Sequence, residues 1–449
     1  MGSHWVKQGK AQGDEQPSSQ INALHINPTT LRLPSWNLPP SKSHLIRMLL
    51  LCALSKKKHT LIGFNKMGED AESMLRCLSQ LGVKCIWTEN GFEIRGVGIE
   101  GIQPTSEVIY AGNSGTALRL LIGLSSRTEF TITVDGDASL RNRNHSDLVN
   151  ALSPLGVEFS FETQPKALPM RIRGPWIGNK LSVDVSRSSQ PYSSVLLATS
   201  GLRSSCIITT EGDAVSRRHS ALTKELMRQS GASFEINGRD TSIAPWTSNP
   251  PREWKVPPDG SMMAFPILAC VLKKEPIQIV NPVEPGDALG HEVLLDHLEQ
   301  LGIQKHDETL TYVGNGQAID IDLRDANDLL PPLAATLALS GGGRIRGASH
   351  AKHKESNRIK STASLLNAFG LRCTIEDDGL SIEGGQVLSK PPVSVDTFGD
   401  HRIQMTAVLL ATETGGVVEG SDLHNIADPE FLNRLSSMPT EMLVERIQR

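Results

Sequence analysis

Six times along the chain, a short polar or Gly-containing opening runs into a stretch that is apolar on nearly every side. The stretches read KSHLIRMLLLCAL, NSGTALRLLIGL, SSQPYSSVLLAT, DGSMMAFPILACVL, NDLLPPLAATLAL and DHRIQMTAVLLAT. Anchored at Ser43, Ser114, Ser189, Ser261, Asp328 and His401, they recur at steps of 71, 75, 72, 67 and 73 residues. A helix that is apolar all round belongs in a core, so each stretch predicts a buried helix with a polar N-terminus. A second series lies between them: MLRCLSQLGVKCIW, LVNALSPLGVEFSF, LTKELMRQSGASFEI, LLDHLEQLGIQKH and SLLNAFGLRCTI. Each predicts an amphipathic helix stopped by a glycine (Gly82, Gly156, Gly231, Gly302 or Gly370) and followed by a strand. The two series together give six copies of an α/β unit about seventy residues long.

Buried helices with polar starts have a chemical consequence. Their first N–H groups are free and carry the positive end of the helix dipole, so several converging starts form an anion site. Any one opening, taken alone, reads equally well as an ordinary cap. Repetition, with basic residues at matching places, favours function.

Composition narrows the field. Apolar residues at 38% are enough for a substantial core, which excludes global disorder. Lys and Arg number 45 against 49 Asp and Glu, so the chain is not a generally basic nucleic-acid binder. Aromatics at 4% argue against a stacking platform for single strands. The cysteines (Cys52, Cys77, Cys85, Cys206, Cys270 and Cys373) form no CxxC pair and have no His at ligand spacing, so they read as reduced, mostly buried thiols. No apolar run approaches the ~18 residues of a membrane span, and the first seventeen residues lack the apolar centre of a signal peptide. The expectation is a cytoplasmic protein without a membrane partner, with residues 1–22 as a flexible lead-in.

The openings and the segments between them contain PPSKSHLIRMLLL, GNSGTALRL, GDASLRNRNHSDLV, VSRSSQPYSSVLL, AVSRRHS, DANDLLPPLAATLAL, SHAKHKESNRI and FGDHRIQM. In this order, from about Leu38 to Pro429, they resemble the enolpyruvyl transferases, most closely the members that act on shikimate 3-phosphate. The resemblance implies an α/β fold of two similar domains, each of three βαβαββ repeats, arranged as an inside-out α/β barrel. It places the first domain at 40–256 and the second at 23–39 plus 257–449. The implied reaction moves the carboxyvinyl group of phosphoenolpyruvate to the 5-hydroxyl of shikimate 3-phosphate and releases phosphate. These small molecules are the only partners expected, with no nucleic acid, no cofactor and no metal, and the chain is expected to be a monomer.

Residue by residue, the resemblance assigns catalysis to Asp328 as base, Glu355 as the proton donor to the methylene carbon, and Lys42 at the bridging oxygen. It assigns the acceptor to Lys42, Ser43, Arg47, Ser188, Ser189, Gln190, Ser216, Asp328 and Lys354. Phosphoenolpyruvate falls to Lys42, Asn113, Gly115, Arg143, Gln190, Arg358, Arg402 and Arg434. Thr116 and Arg119 share the Gly115 motif, and His350 falls at a further contact position. The chemistry agrees: a guanidinium forks onto carboxylate or phosphate, and hydroxyls hold phosphate without added charge. Arg47 inside an apolar helix also reads as a core arginine, but burying it without an anion is costly.

The chain departs from the family at four places. His219 stands where a Tyr is usual, Arg187 replaces a small residue, Asn144 replaces Pro, and Arg434 replaces Lys. If His219 touches the acceptor phosphate, affinity is expected to weaken as pH rises through its pKa. Alternatives are transfer to another phosphorylated alcohol, an RNA 3′-phosphate cyclase-like protein, or a silent binding paralogue. Ala138, where the relatives acting on a nucleotide sugar have a reactive Cys, weighs against that acceptor.

Overall fold

The computed structural model describes residues 22–29, 33–162, 164–287, 289–314, 316–436 and the strand at 444–448. The expected lead-in lies outside the described residues up to position 21, and Asn22 already opens a strand. All six apolar stretches form helices: Lys42–Ala53, Gly115–Ser125, Gln190–Ala198, Ala264–Lys273, Leu330–Leu339 and His401–Thr414. Every residue from His44 to Ala53 is buried, as is every residue from His401 to Thr412. Helices without a polar face thus occupy the interior, and the sheets cover them.

Among the described residues, five of the six sheets share one pattern. In the second, Val108–Tyr110 runs parallel to Ile132–Asp135, which pairs antiparallel with Met170–Arg173, which pairs antiparallel with Glu158–Phe161. The sequence-predicted glycines stand between helix and strand with φ from 77° to 95°, a region that a Cβ disfavours. Two elements depart from expectation. LVNALSPLG ends its α-helix at Leu152 and turns as a 3₁₀ segment through Ser153–Leu155, because Pro154 cannot continue the ladder. LLDHLEQLG gives only a short helix, Glu292–Leu295, followed by i→i+3 turns at His297 and Leu298. Glu292, in its first turn, is drawn instead to the Gly290 N–H and to Arg218.

The apolar side chains fall into two clusters. One gathers residues between Leu45 and Val256 together with Leu289; the other gathers Leu24–Leu38 and Met262–Leu435. Two chain segments join these halves side by side, with Ser41 N–H donating to the Pro257 carbonyl at 2.8 Å and Asp259 N–H to that of Pro39 at 2.9 Å. Beside this crossing, two strands pair with partners far away in sequence. Glu253–Lys255 closes the sheet of Lys58–Ile62, and Ser35–Trp36 closes that of Ile277–Ile279. The sixth sheet takes Asn22–Ile26 between Gly416–Glu419 and Val444–Gln448. Among the described residues no helix is long and apolar enough to cross a membrane.

Candidate active site

The openings of the inner helices face one another across the gap between the halves. There they enclose a cavity of about 530 Å³ lined by Lys42, Ser43, Arg47, Gly115, Arg143, Ser188, Ser189, Gln190, Ser216, Asp328, Lys354, Glu355 and Arg358. Thirteen of the sixteen sequence-predicted site residues therefore meet at one place. Asn113 and Arg402 stand just behind the wall: Asn113 Oδ1 accepts from Arg143 Nη2 at 3.2 Å, and Arg402 Nη2 lies 3.4 Å from Asp328 Oδ2. Arg434 is elsewhere. It pairs with Asp428 at 2.8 Å, lies over the Trp36 ring at 5.0 Å, and lines a separate cavity of about 1120 Å³ beside the crossing.

At the centre is Arg358, whose side chain is 1% exposed. Its Nε meets Asp400 at 2.9 Å, Nη1 meets Asp328 at 2.6 Å and Nη2 meets Glu355 at 2.6 Å. Burial opposes the charge on Arg358, but Asp400, Glu355 and Asp328 raise its pKa above the ordinary value. Burial likewise opposes ionised Asp328, yet Arg402, Arg358, Lys354 and Lys42 hold it well below the usual carboxylate range. Glu355 is held low in the same way, chiefly by Arg143 and Arg358. Both carboxyls are anions in this arrangement. Lys42 resists the same burial through Asp70, 2.9 Å away, and its pKa is raised.

The facing wall is cationic and short of acids. Arg47 is 1% exposed and donates only to neutral oxygens: Thr223 Oγ1 at 2.7 Å, the Ser43 carbonyl at 2.8 Å and Ser193 Oγ at 3.4 Å. Burial alone pulls its pKa down to about 10. Arg119 donates to Gln190 Oε1 at 2.6 Å, and burial with Arg143 nearby lowers it to about 10. A Cβ on Gly115 would stand 2.9 Å from Arg119 Nη1 and 3.0 Å from Arg143 Nη1, so a larger residue there would push the two guanidinium tips aside. Buried cations hydrogen-bonded to neutral groups alone are the electrostatic counterpart of an anionic ligand.

Ser188 Oγ accepts from the Gln190 N–H at 3.2 Å, and buried Ser189 precedes the first turn of the same helix. His219 lines the cavity beside them, but burial, Arg47 and His291 hold it well below its usual range. It is therefore neutral at ordinary pH, and the pH-dependent contact expected of it is not supported. His350 accepts from Asn327 through Nε2 at 2.8 Å, and burial with Lys354 nearby lowers it to about 4. Asp400 and Asp70 escaped the sequence reading. Asp400 looks like a plain helix cap, and it does cap Arg402 N–H at 2.9 Å while also holding Arg358. Asp70 sits in the acidic first turn of an amphipathic helix, where an acid needs no further reason.

Two three-unit halves closing on a shared pair of carboxylates, with buried Arg47 and Arg119 hydrogen-bonded to neutral groups alone, make a site for anionic substrates. A sequence model of the EPSP synthase family (3-phosphoshikimate 1-carboxyvinyltransferase) matches residues 35–435. The 3-phosphoshikimate 1-carboxyvinyltransferase of Methanocorpusculum labreanum is 30% identical over 91% of this chain and 96% of its own. Among solved structures, EPSP synthase from Acinetobacter baumannii superposes with a TM-score of 0.74 at 23% identity, covering 95% of this chain and 100% of that one. The enolpyruvyl transferase NikO from Streptomyces tendae shares the fold with a TM-score of 0.73 at 15% identity, covering 96% and 100%. The chain belongs to the EPSP synthase family.

Proposed function

We propose that this chain transfers the carboxyvinyl group of phosphoenolpyruvate to the 5-hydroxyl of shikimate 3-phosphate, with release of phosphate, a step in aromatic amino acid biosynthesis. Family membership supports the reaction, and the observation that carries the site is the Asp328–Arg358–Glu355 cluster facing Arg143. In this reading the acceptor oxygen adds to C2 of the donor while its proton passes to Asp328. Glu355 gives a proton to the methylene carbon, which becomes a methyl group. In the second step the methyl group returns its proton to Glu355, the C2–O bond to phosphate breaks, and the leaving phosphate, met by Lys42, takes up the proton held by Asp328.

Glu355 must carry a proton to act so, although Arg143 and Arg358 keep it ionised in the empty site. The donor's phosphate and carboxylate supply competing anions to those same arginines. Once they are neutralised, the buried carboxyl is left with its desolvation cost and rises in pKa. Arg47, Lys354 and the serines 188, 189 and 216 are the groups we assign to the acceptor's phosphate. We also take the two apolar clusters as two domains, 40–256 and 23–39 plus 257–449, whose approach excludes water from the cavity. The deciding experiment is release of phosphate from phosphoenolpyruvate with shikimate 3-phosphate as the sole acceptor. No release would refute the reading.

A further inference from the structure

Four consecutive residues, Ser216 to His219, each touch the opposite half of the molecule. Ser216 N–H donates to the Arg324 carbonyl at 3.1 Å. Arg217 N–H donates to Asp325 Oδ1 at 2.6 Å, and its guanidinium reaches Asp325 Oδ2 through Nε at 3.0 Å and Nη2 at 2.6 Å. Arg218 pairs with Glu292, and the His219 ring stands edge-on to His291 with centroids 6.3 Å apart. Ser216 itself has φ 50° and ψ 42°, a left-handed conformation that a residue with a Cβ adopts at a cost. Contacts from the far side of the cleft help to hold it there.

We propose that this segment is a clasp, with Arg217 and Asp325 as positioning residues that set Ser216 for the acceptor's phosphate only when the halves are together. The inference rests on the functional reading above. With the halves apart, Ser216 loses the Arg324 carbonyl and Arg217 loses Asp325, leaving the left-handed turn with the bonds of its own half, from His219 N–H to the Ser216 carbonyl at 3.1 Å and from Val215 N–H to the Val185 carbonyl at 3.3 Å. By linkage, whatever closure gives to acceptor binding, acceptor binding returns to closure. The Arg217 side chain is 62% exposed and that of Asp325 18%, so water and salt reach the pair.

The test compares Arg217→Ala, Asp325→Asn and Arg217→Lys with the unaltered chain. The first two are expected to raise the acceptor KM about tenfold while the donor KM and kcat move by less than about threefold, a coupling of ordinary size. Arg217→Lys should recover part of the loss. The acceptor KM of the unaltered chain should climb more steeply with salt than that of either variant. An acceptor KM within twofold of the unaltered chain in both variants, or equal salt slopes, would overturn the clasp. Small-angle scattering of the substrate-free chain needs neither turnover nor a variant: added salt should enlarge its radius of gyration, and a constant radius would overturn the clasp. Absence of phosphate release by the unaltered chain would instead refute the functional reading, leaving scattering to decide the clasp.

Discussion

Arg143, from the first half, reaches Glu355, from the second, at 3.5 Å across the cleft. The same carboxylate is held at 2.6 Å by Arg358. An acid assigned to proton donation thus begins as the anion that binds the two walls together, and its chemistry depends on being released from that task.

Removing either proposed acid–base group tests the assignment. Glu355→Gln and Asp328→Asn are each expected to lower kcat by ~10²–10⁴, with a much smaller change in donor binding. Steady-state kinetics with both substrates varied will show it. Turnover within a few-fold of the unaltered chain in one variant removes that residue from the mechanism.

Donor binding is expected to take up a proton near neutral pH. Glu355 starts ionised because Arg143 and Arg358 depress its pKa, and a phosphate and a carboxylate arriving at those arginines raise it. Titration calorimetry in buffers of different ionisation enthalpy reads this uptake directly, and Glu355→Gln should abolish it. Depressed carboxyls stabilise the fold above their unfolded pKa, and that contribution is lost as pH falls from about 4 through their lower folded values.

Arg47→Met should separate stability from function. The guanidinium is buried without a carboxylate, and Thr223 and Ser193 keep their mutual hydrogen bond at 2.8 Å when it is gone. The variant is expected to melt at or above the temperature of the unaltered chain. Its acceptor affinity should fall on the order of 10²-fold, as for loss of a charge-assisted pair. Calorimetric melting and acceptor titration on one preparation suffice, and a lower melting temperature with intact binding would make Arg47 a core residue.

His219 is expected to contribute nothing to pH dependence between pH 6 and pH 8, because burial, Arg47 and His291 keep it neutral there. A phosphate monoester has its own second pKa near 6, so acceptor affinity still varies with pH. The discriminating measurement is therefore the pH profile of His219→Phe against that of the unaltered chain. Parallel profiles are expected, and profiles that diverge below pH 7 would show an imidazolium at the acceptor.

The repeated half of the architecture was legible in the chain because it depends on local pattern. Six runs without a polar face must be inner helices, and Gly82 or Gly231 must stop a helix wherever it ends. What escaped depends on distant partners. Nothing near Asp400 announces that it lies under Arg358, and nothing near Asp325 announces Arg217. Motif matching named most of the residues that line the cavity together with Arg434, which stands at the other cavity and pairs with Asp428. Asp428 lies three residues before the Phe431–Ser436 helix that carries Arg434, close enough in sequence for the two side chains to pair at 2.8 Å. The strand pairings beside the crossing were not legible, since a two-residue strand such as Ser35–Trp36 carries no periodicity to read.

The position of Asn22–Ile26 imposes an order on biosynthesis. This strand is synthesised before both of its described partners, Gly416–Glu419 and Val444–Gln448. The half between Leu45 and Val256 has its described sheets and inner helices complete once Lys255 emerges. Until Gly416–Glu419 follows, the early strand has neither of these partners on its edges, and an unpaired edge invites pairing with another chain.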